Sequence, residues 1–184
     1  MQHTICLYCG SRAGVNPAYA AVAAELGATV AARGWRLVYG GGDVGLMGVA
    51  ARAALENGGE VIGIIPRGLK EREQGLEELS ELIITETLRE RKGLMFERSD
   101  MFVALPGGFG TLEEVVETLT LRQLRYHDKP IIFLNVAGYF DPLLQFFDHA
   151  VAEGFVHPAH LKLYEVVEDV PALMALIDAH SGGA

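Results

Sequence analysis

The chain has 184 residues, of which 50% are hydrophobic, and it carries a formal net charge of -9 at pH 7. This length fits one compact domain over residues 1–184 with one hydrophobic core. The acidic balance argues against a nucleic-acid binder, because such proteins usually carry an excess of Lys and Arg on one face. No apolar run reaches the roughly 18 residues of a membrane span, and the N-terminus leads straight into a strand-like segment. We therefore expect a soluble, cytoplasmic protein without nucleic-acid or membrane partners.

Short apolar runs rich in Val, Ile and Leu alternate with longer helical patterns along the chain. This alternation predicts an α/β fold, a Rossmann-like doubly wound parallel sheet of about seven strands with helices on both faces. The predicted strands are His3–Cys9, Arg36–Tyr39, Glu60–Ile65, Leu82–Glu86, Met101–Leu105, Pro130–Leu134 and Tyr164–Val167. The predicted helices are Pro17–Arg33, Gly45–Asn57, Arg89–Arg98, Thr111–Arg125, Asp141–Glu153 and Val170–His180. The charged stretch Pro66–Ser80 lacks a clear period and is predicted to be a loop or a short helix.

Two cysteines, Cys6 and Cys9, have the C-x-x-C spacing of a redox pair or half a zinc site. Both lie on the first predicted strand, where residues three apart point to opposite faces. The sequence has no second cysteine pair that could complete a zinc site. We therefore predict two buried strand cysteines and no metal site. The isolated histidines His127, His157 and His160 are predicted to lie at the surface.

Three glycine-bearing turns follow predicted strands, at residues 9–12, 40–45 and 106–111. In an open parallel sheet the carboxyl ends of the strands share one edge, which is where ligands bind. The three turns are therefore expected to converge there. We count Gly10, Ser11, Gly41 and Gly42 among the candidate substrate-binding residues.

The third turn gives the strongest signal for a ligand. Gly107, Gly108 and Gly110 lack a side chain that would keep an anion from the backbone N–H groups, and Thr111 adds a hydroxyl. The helix that follows directs its positive dipole end to the same place. This pattern predicts a phosphate site. The alternative is a tight turn in which Thr111 is the N-cap and Glu114 completes a capping box.

The second turn also matches G-x-G-x-x-G through Gly40, Gly42 and Gly45, which is typical of dinucleotide sites. That interpretation requires an acidic residue near the end of the next strand to hold the ribose. The sequence there is Ile-Ile-Pro-Arg, ending at Arg67, so NAD is disfavoured and NADP is left as a weaker option.

Charged residues near two predicted helix starts complete the candidate site. Arg91 and Lys92 lie where acidic residues would be preferred, so either an anionic ligand or partner carboxylates could account for them, and a solvated turn is the alternative. Glu113, Glu114 and Glu117 lie on the helix that begins at the predicted phosphate site. A carboxylate one turn from a bound phosphate suits chemistry at C1' of a ribose.

These motifs together resemble the LONELY GUY family of cytokinin riboside 5'-monophosphate phosphoribohydrolases. The resemblance covers nearly the whole chain and is carried by Tyr39-Gly40-Gly41-Gly42-Asp43-Val44-Gly45-Leu46-Met47-Gly48, Arg91-Lys92, Ser99-Asp100 and Pro106-Gly107-Gly108-Phe109-Gly110-Thr111-Leu112-Glu113-Glu114. It implies a homodimer without a cofactor that hydrolyses the N-glycosidic bond of AMP or an N6-modified AMP. The products would be the free base and ribose 5-phosphate.

By the same resemblance, the catalytic pair falls on Arg91 and Glu114. The implied nucleotide contacts are Glu73, Lys92, Gly108, Phe109, Gly110, Thr111, Leu112, Glu113 and Thr120. The chain departs from the family pattern at Leu88-Arg89 and Leu121-Arg122, which bears on base preference. Two alternatives remain: a non-catalytic nucleotide-binding or sensing module, and a lysine decarboxylase with pyridoxal phosphate on Lys70, Lys92, Lys129 or Lys162.

Overall fold

One parallel sheet of seven strands organises the computed structural model, which describes residues 2–70 and 78–181. The strands are β1 (Thr4–Tyr8), β2 (Arg36–Tyr39), β3 (Glu60–Pro66), β4 (Glu81–Thr85), β5 (Met101–Ala104), β6 (Ile131–Leu134) and β7 (Glu165–Val167). Their order across the sheet is β4-β3-β2-β1-β5-β6-β7, and every neighbouring pair is parallel. The predicted doubly wound α/β fold is confirmed, and each strand lies within one or two residues of its predicted bounds.

The helices are α1 (Pro17–Ala32), α2 (Gly45–Glu56), α3 (Arg67–Lys70), α4 (Leu88–Glu97), α5 (Phe109–Gln123), α6 (Asp141–Ala152) and α7 (Val170–Ser181). Short 3-10 turns occupy Val136–Gly138 and Pro158–Leu163. The start of α5 lies two residues before the predicted Thr111. Part of the charged stretch after β3 forms the short helix α3. Among the helices of residues 2–70 and 78–181, none is both long and apolar enough to cross a membrane.

Helices cover both faces of the sheet, so the five central strands are largely buried on both sides, whereas the edge strands β4 and β7 are partly exposed. Ile5 and Leu7 of β1, and Cys9 directly after it, belong to one hydrophobic cluster, which includes residues of α1, α2 and α7. Cys6 and Tyr8 face the other cluster, which includes residues of α4 and α5. Burial on two faces explains why the strand sequences are continuous apolar runs instead of alternating ones.

The two cysteines are buried and free, as predicted, and they lie in opposite clusters. Burial raises the pKa of Cys6 to about 12 and raises the pKa of Cys9 as well. Both thiols are therefore protonated near neutral pH, which is the state of inert core cysteines.

His127, which is predicted to lie at the surface, is only partly exposed. Its side chain is partly buried, its ring lies edge-on to Phe96 with 5.0 Å between centroids, and Nε2 is 3.0 Å from the carbonyl oxygen of Thr118. The isolated histidine in a polar context gave no signal for these contacts. In the described residues, no group of three or more His, Cys, Asp or Glu side chains is arranged to hold a metal ion.

The order in which successive strands are added to the sheet reverses between β1 and β5. The strands run outward from β1 to β4 and then return to β5, which lies on the other side of β1. Such a reversal separates the loops after the two central strands and opens a crevice at their carboxyl ends. Two backbone hydrogen bonds of 3.0 Å join the predicted turns there, from Gly10 N to Pro106 O and from Leu46 N to Gly10 O. The predicted convergence of the three glycine turns is confirmed.

Candidate active site

A cavity of about 250 Å³ opens at this switch point of the sheet. Its walls come from the end of β1, from the turns after β1, β2 and β5 and from helices α2, α3, α4 and α5. The lining residues are Leu7, Cys9, Gly10, Ser11, Gly40, Met47, Leu69, Arg91, Gly108, Phe109, Gly110, Thr111 and Glu114.

The N-terminus of α5 forms one wall of this cavity. Gly108 is the N-cap, and the first helical hydrogen bond runs from Leu112 N to Gly108 O at 3.0 Å. The N–H groups of residues 108–111 precede that bond, and the first N–H groups of an α-helix have no intrahelical acceptor. A methyl group built at Gly108 or Gly110 would meet no atom within 4 Å. Space is therefore open beside these donors, as an anion site requires.

The capping-box alternative for this turn is wrong. Thr111 is the third residue of α5 and is buried, and the N-cap Gly108 has no side chain to accept a hydrogen bond. Glu114 does not reach back to the N-cap. It lies in the first two turns of α5 and faces Arg91 across the cavity.

Arg91 and Glu114 form an ion pair that is largely shielded from solvent. Nη2 of Arg91 lies 3.4 Å from Oε1 of Glu114, and the two side chains are 12% and 10% exposed. Nε of Arg91 also donates a 3.1 Å hydrogen bond to the carbonyl oxygen of Ile64 on β3. The guanidinium is thus held by a strand on one side and by the carboxylate on the other.

Burial raises the pKa of Glu114 above its usual value, and the Arg91 guanidinium offsets part of that rise. The carboxylates of Glu113 and Glu117 raise it further, while the Lys92 cation lowers it. A carboxylate with little water around it stabilises a positive charge more strongly than one in bulk solvent.

The start of α4 is fixed by a capping pattern that the sequence analysis missed. The Thr87 hydroxyl accepts a 3.1 Å hydrogen bond from Glu90 N, and Oε2 of Glu90 accepts one of 2.9 Å from Glu86 N. The spacing Thr-x-x-Glu at residues 87–90 is the sequence signal that could have revealed it. This cap fixes the first turn of the helix that carries Arg91.

Lys92 lies beside the cavity and is paired with carboxylates of α5. Its Nζ contacts Oε1 of Glu113 and lies 2.8 Å from Oε2 of Glu117. Burial acts to lower the pKa of Lys92, but the two carboxylates outweigh it and the pKa rises. Partner carboxylates therefore account for both cations at the start of α4, which is one of the predicted explanations.

The predicted binding residues divide into two groups. Those on the cavity wall are Gly10, Ser11, Gly108, Phe109, Gly110 and Thr111, together with the predicted catalytic pair. Those that do not line it are Gly41, Gly42, Lys92, Gly107, Leu112, Glu113 and Thr120. Glu73 lies outside the described residues. Five further residues line the cavity but are not among the predicted binding residues: Leu7, Cys9, Gly40, Met47 and Leu69.

Two of the glycines away from the cavity wall have structural reasons to be glycine. Gly41 has a φ of +76°, and a methyl group there would lie 2.9 Å from Cβ of Ile65. A methyl group at Gly107 would overlap the Thr111 hydroxyl and would lie 2.9 Å from Gly10 N.

The cation that the NADP alternative requires, Arg67, forms a 2.9 Å ion pair with Glu86.

Thr120 lies in a second, apolar groove of about 200 Å³ between α5, α6 and the 3-10 turn at Pro158–Leu163. Beside this groove, Nη1 of Arg122 donates a 2.8 Å hydrogen bond to the Leu163 carbonyl oxygen. Thr120 and Arg122 therefore line or adjoin other surfaces than the cavity of Arg91 and Glu114, and Leu121 is not among that cavity's lining residues.

The sequence comparisons decide the family. Residues 47–177 match the family model described as "Possible lysine decarboxylase". A probable cytokinin riboside 5'-monophosphate phosphoribohydrolase of Oryza sativa subsp. japonica is 47% identical over 96% of this chain and 78% of its own length. The chain belongs to the LONELY GUY family. Another relative, a cytokinin riboside 5'-monophosphate phosphoribohydrolase of Arabidopsis thaliana, is 42% identical over 96% of this chain and 77% of its own length.

A solved structure extends the similarity beyond the LONELY GUY relatives. The molybdenum cofactor carrier protein of Chlamydomonas reinhardtii has a TM-score of 0.73 and 25% sequence identity, covering 97% of this chain and 98% of its own. The fold is therefore shared by a protein described as a carrier and by relatives named as hydrolases.

Proposed function

We propose that this LONELY GUY chain hydrolyses the N-glycosidic bond of an adenine-type nucleoside 5'-monophosphate. The substrate is AMP or an N6-modified AMP, and the products are the free base and ribose 5-phosphate. The observation that carries the proposal is the shielded pair of Arg91 and Glu114 in the same cavity as the N-terminus of α5. The names of the relatives support the same reaction.

In this proposal the 5'-phosphate binds at the N-terminus of α5. The N–H groups of residues 108–111 and the positive end of the helix dipole favour an anion there. Glu114 follows Gly110 by about one helical turn, a rise of roughly 5 to 6 Å. That rise is close to the span of a ribose between its phosphate and C1'. The helix itself therefore sets the distance between the phosphate and the reacting carbon.

Cleavage of the base develops positive charge at C1' and O4' and negative charge on the departing base. Glu114 would face the sugar, stabilise the oxocarbenium-like centre and orient the attacking water. Arg91 is a poor proton donor because its pKa is so high. Its role is to hold Glu114 and to stabilise negative charge on the leaving group or the phosphate.

A decarboxylase that uses pyridoxal phosphate fits the cavity poorly, because such chemistry requires a lysine at the site. All four lysines of the chain lie in the described residues, and none lines the cavity. Lys92 is held by two carboxylates, and Nζ of Lys129 donates a 2.7 Å hydrogen bond to Phe96 O and lies 4.5 Å from the centre of that ring.

The experiment is to incubate purified protein with AMP and to measure free adenine and ribose 5-phosphate by chromatography. Glu114→Gln is the test variant, and Glu117→Gln removes a carboxylate one turn along the same helix as the matched control. We expect release by the wild type and by the control, with a loss of about a hundredfold or more in Glu114→Gln. Adenosine should be a far poorer substrate than AMP, because it lacks the phosphate that positions C1'.

The second candidate function is a nucleotide carrier or sensor, which the similarity to a carrier protein favours. Tight AMP binding without any adenine release by the wild type would support the carrier and refute the hydrolase. If Glu114→Gln released adenine at the wild-type rate, the hydrolase would need another catalytic group.

We also propose that the protein is a homodimer that pairs through the face of α5 and α6. No residue of α6 is fully buried in the single chain, and Phe146 on α6 and Val116 on α5 are 60% and 40% exposed. Val116 lines the groove that contains Thr120, as does Phe147, the neighbour of Phe146 on α6. An apolar face of this kind is usually covered by a partner. Light scattering at micromolar concentration tests the proposal, and a monomeric mass with full activity would refute it.

A further inference from the structure

The side chain of Tyr139 contacts the back of the turn that precedes α5. Its hydroxyl donates a short hydrogen bond to the carbonyl oxygen of Gly107, across 32 residues of sequence. Gly107 does not line the cavity, whereas Gly108 does. The hydrogen bond therefore reaches the peptide between these two glycines from the side away from the cavity.

Tyr139 is held in place by the connection between β6 and α6. The Asn135 side chain accepts a 2.7 Å hydrogen bond from Phe140 N and donates one of 2.7 Å to Oδ1 of Asp141. The Tyr139 ring lies edge-on to the rings of Tyr19 and Phe140, with centroids 5.6 and 5.1 Å apart. Ring packing on two sides and the hydrogen-bonded turn at Asn135 restrict the position of the Tyr139 hydroxyl.

The peptide between Gly107 and Gly108 has glycine on both sides, so side-chain contacts restrict its rotation less than in most peptides. In a trans peptide the C=O and N–H groups point in opposite directions. Glycine on both sides removes the Cβ contacts that normally restrict such rotation. A half-turn of this peptide would direct its carbonyl oxygen, instead of the Gly108 N–H, into the cavity. A carbonyl oxygen there would repel a phosphate.

We propose that Tyr139 is a positioning residue that keeps the Gly108 N–H directed into the anion site by holding the Gly107 carbonyl on the opposite side. This inference rests on the proposed function, because it assigns the anion to the substrate phosphate. The hydrogen bond from Tyr139 also polarises the peptide, which makes the Gly108 N–H a stronger donor. Glycines thus give the turn its close approach to the ligand, and Tyr139 removes the freedom that they introduce.

The test is the binding of ribose 5-phosphate to the wild type, to Tyr139→Phe and to the control Tyr19→Phe, by calorimetry. Tyr19→Phe removes a hydroxyl from the neighbouring ring and keeps the ring packing. We expect Tyr139→Phe to raise the Kd about tenfold, the loss of one hydrogen bond of roughly 1.4 kcal/mol. For AMP it should raise KM by a similar factor with little change in kcat at saturation, and kcat/KM for adenosine should not change.

The results separate this inference from the proposed function. If the wild type binds ribose 5-phosphate and Tyr139→Phe binds it equally well, the positioning role is refuted and the hydrolase proposal stands. If the wild type releases adenine from AMP but does not bind ribose 5-phosphate, the role of Tyr139 is refuted, because no anion binds at this turn, while the hydrolase proposal stands. A measurement on the wild type needs no variant: the amide proton resonance of Gly108 should move downfield when ribose 5-phosphate binds, and an unmoved resonance would refute the role of this N–H.

Discussion

The guanidinium of Arg91 lies directly against Gly40, so that a methyl group at position 40 would overlap Nη2 of Arg91. The same methyl group would lie 3.1 Å from the sulfur of Met47. Gly40 directly follows β2, and Arg91 enters this space from α4. The absence of a side chain at Gly40 is therefore what allows Arg91 to reach Glu114.

We predict that Gly40→Ala folds but loses most of its activity. The φ of Gly40 is not positive, so alanine fits the backbone, and the atom it would overlap is the far end of a long side chain that can move. Moving Arg91 breaks its contacts with Glu114 and Ile64. We expect kcat to fall by on the order of a hundredfold with a small change in Tm. Gly93→Ala, on the exposed face of α4 with no atom near its new methyl group, is the control and should retain wild-type kcat.

We predict that Gly110→Ala separates stability from binding. Alanine is favoured over glycine in a helix by about 1 kcal/mol, so Tm should stay level or rise by about 2 to 4 °C. The methyl group would occupy the open space beside the anion donors, so KM for AMP should rise at least several-fold. Thermal unfolding and steady-state kinetics on one preparation check both effects. A KM equal to that of the wild type would show that the phosphate does not bind beside Gly110.

We predict that kcat/KM falls on the acidic side of its pH profile because Glu114 becomes protonated there. This acidic limb of the profile therefore gives the pKa of Glu114. Catalysis needs the carboxylate, and the pKa of Glu114 is raised, so activity should fall at a higher pH than the ordinary titration of glutamate near about 4.3. Lys92→Met removes a cation that lowers this pKa and leaves Glu113 and Glu117 unneutralised, so the limb should move to higher pH. Glu117→Gln removes a charge that raises the pKa, so the limb should move to lower pH. Shifts in the same direction for both variants would exclude Glu114 as the titrating group.

We predict that Arg91→Ala and Glu114→Gln are not additive. Each single change should lower kcat by on the order of a hundredfold or more, because both groups act on one transition state. The double variant should then be little slower than the slower single variant. Multiplication of the two effects in the double variant would show that the residues act independently. Tm values for all four proteins exclude unfolding as the cause.

The raised pKa of Glu114 also predicts how stability depends on pH. The folded state binds the Glu114 proton more tightly than the unfolded state does, so this residue's contribution is fully present below the unfolded pKa and is lost as pH rises through the folded pKa. Replacing Glu114 by Gln removes that dependence. The difference in Tm between Glu114→Gln and the wild type should therefore grow in favour of the variant from acidic to neutral pH. A constant difference across this range would contradict the raised pKa.

The sheet could be predicted from the sequence because its strands are continuous apolar runs separated by helical periods. β2, for example, has its predicted bounds of Arg36–Tyr39. The start of α5 was placed too late because glycines at a helix N-terminus look like a loop, and Thr111 is a favourable N-cap residue in any context. Local patterns cannot distinguish a threonine at the N-cap from one inside the first turn.

The residues that support the site were harder to predict than the residues within it. Arg91 and Glu114 belong to recognisable motifs, but the contact of Gly40 with Arg91 and the bond from Tyr139 to Gly107 join segments that are distant in sequence. Such contacts depend on the order of the strands in the sheet. Neither periodicity nor spacing contains that information.

The position of β1 in the middle of the sheet has a consequence for synthesis of the chain. β1 pairs with β2 on one side and with β5 on the other, and Thr4 N donates to Oδ2 of Asp100 across 96 residues. Until β5 leaves the ribosome, one edge of this wholly buried strand has no neighbour. Long-range parallel pairing of this kind forms late, and an open apolar edge invites association with other chains. A nascent chain that stalls before Ala104 therefore leaves the β5-facing edge of β1 without a partner strand, and that edge is then open to association with other chains.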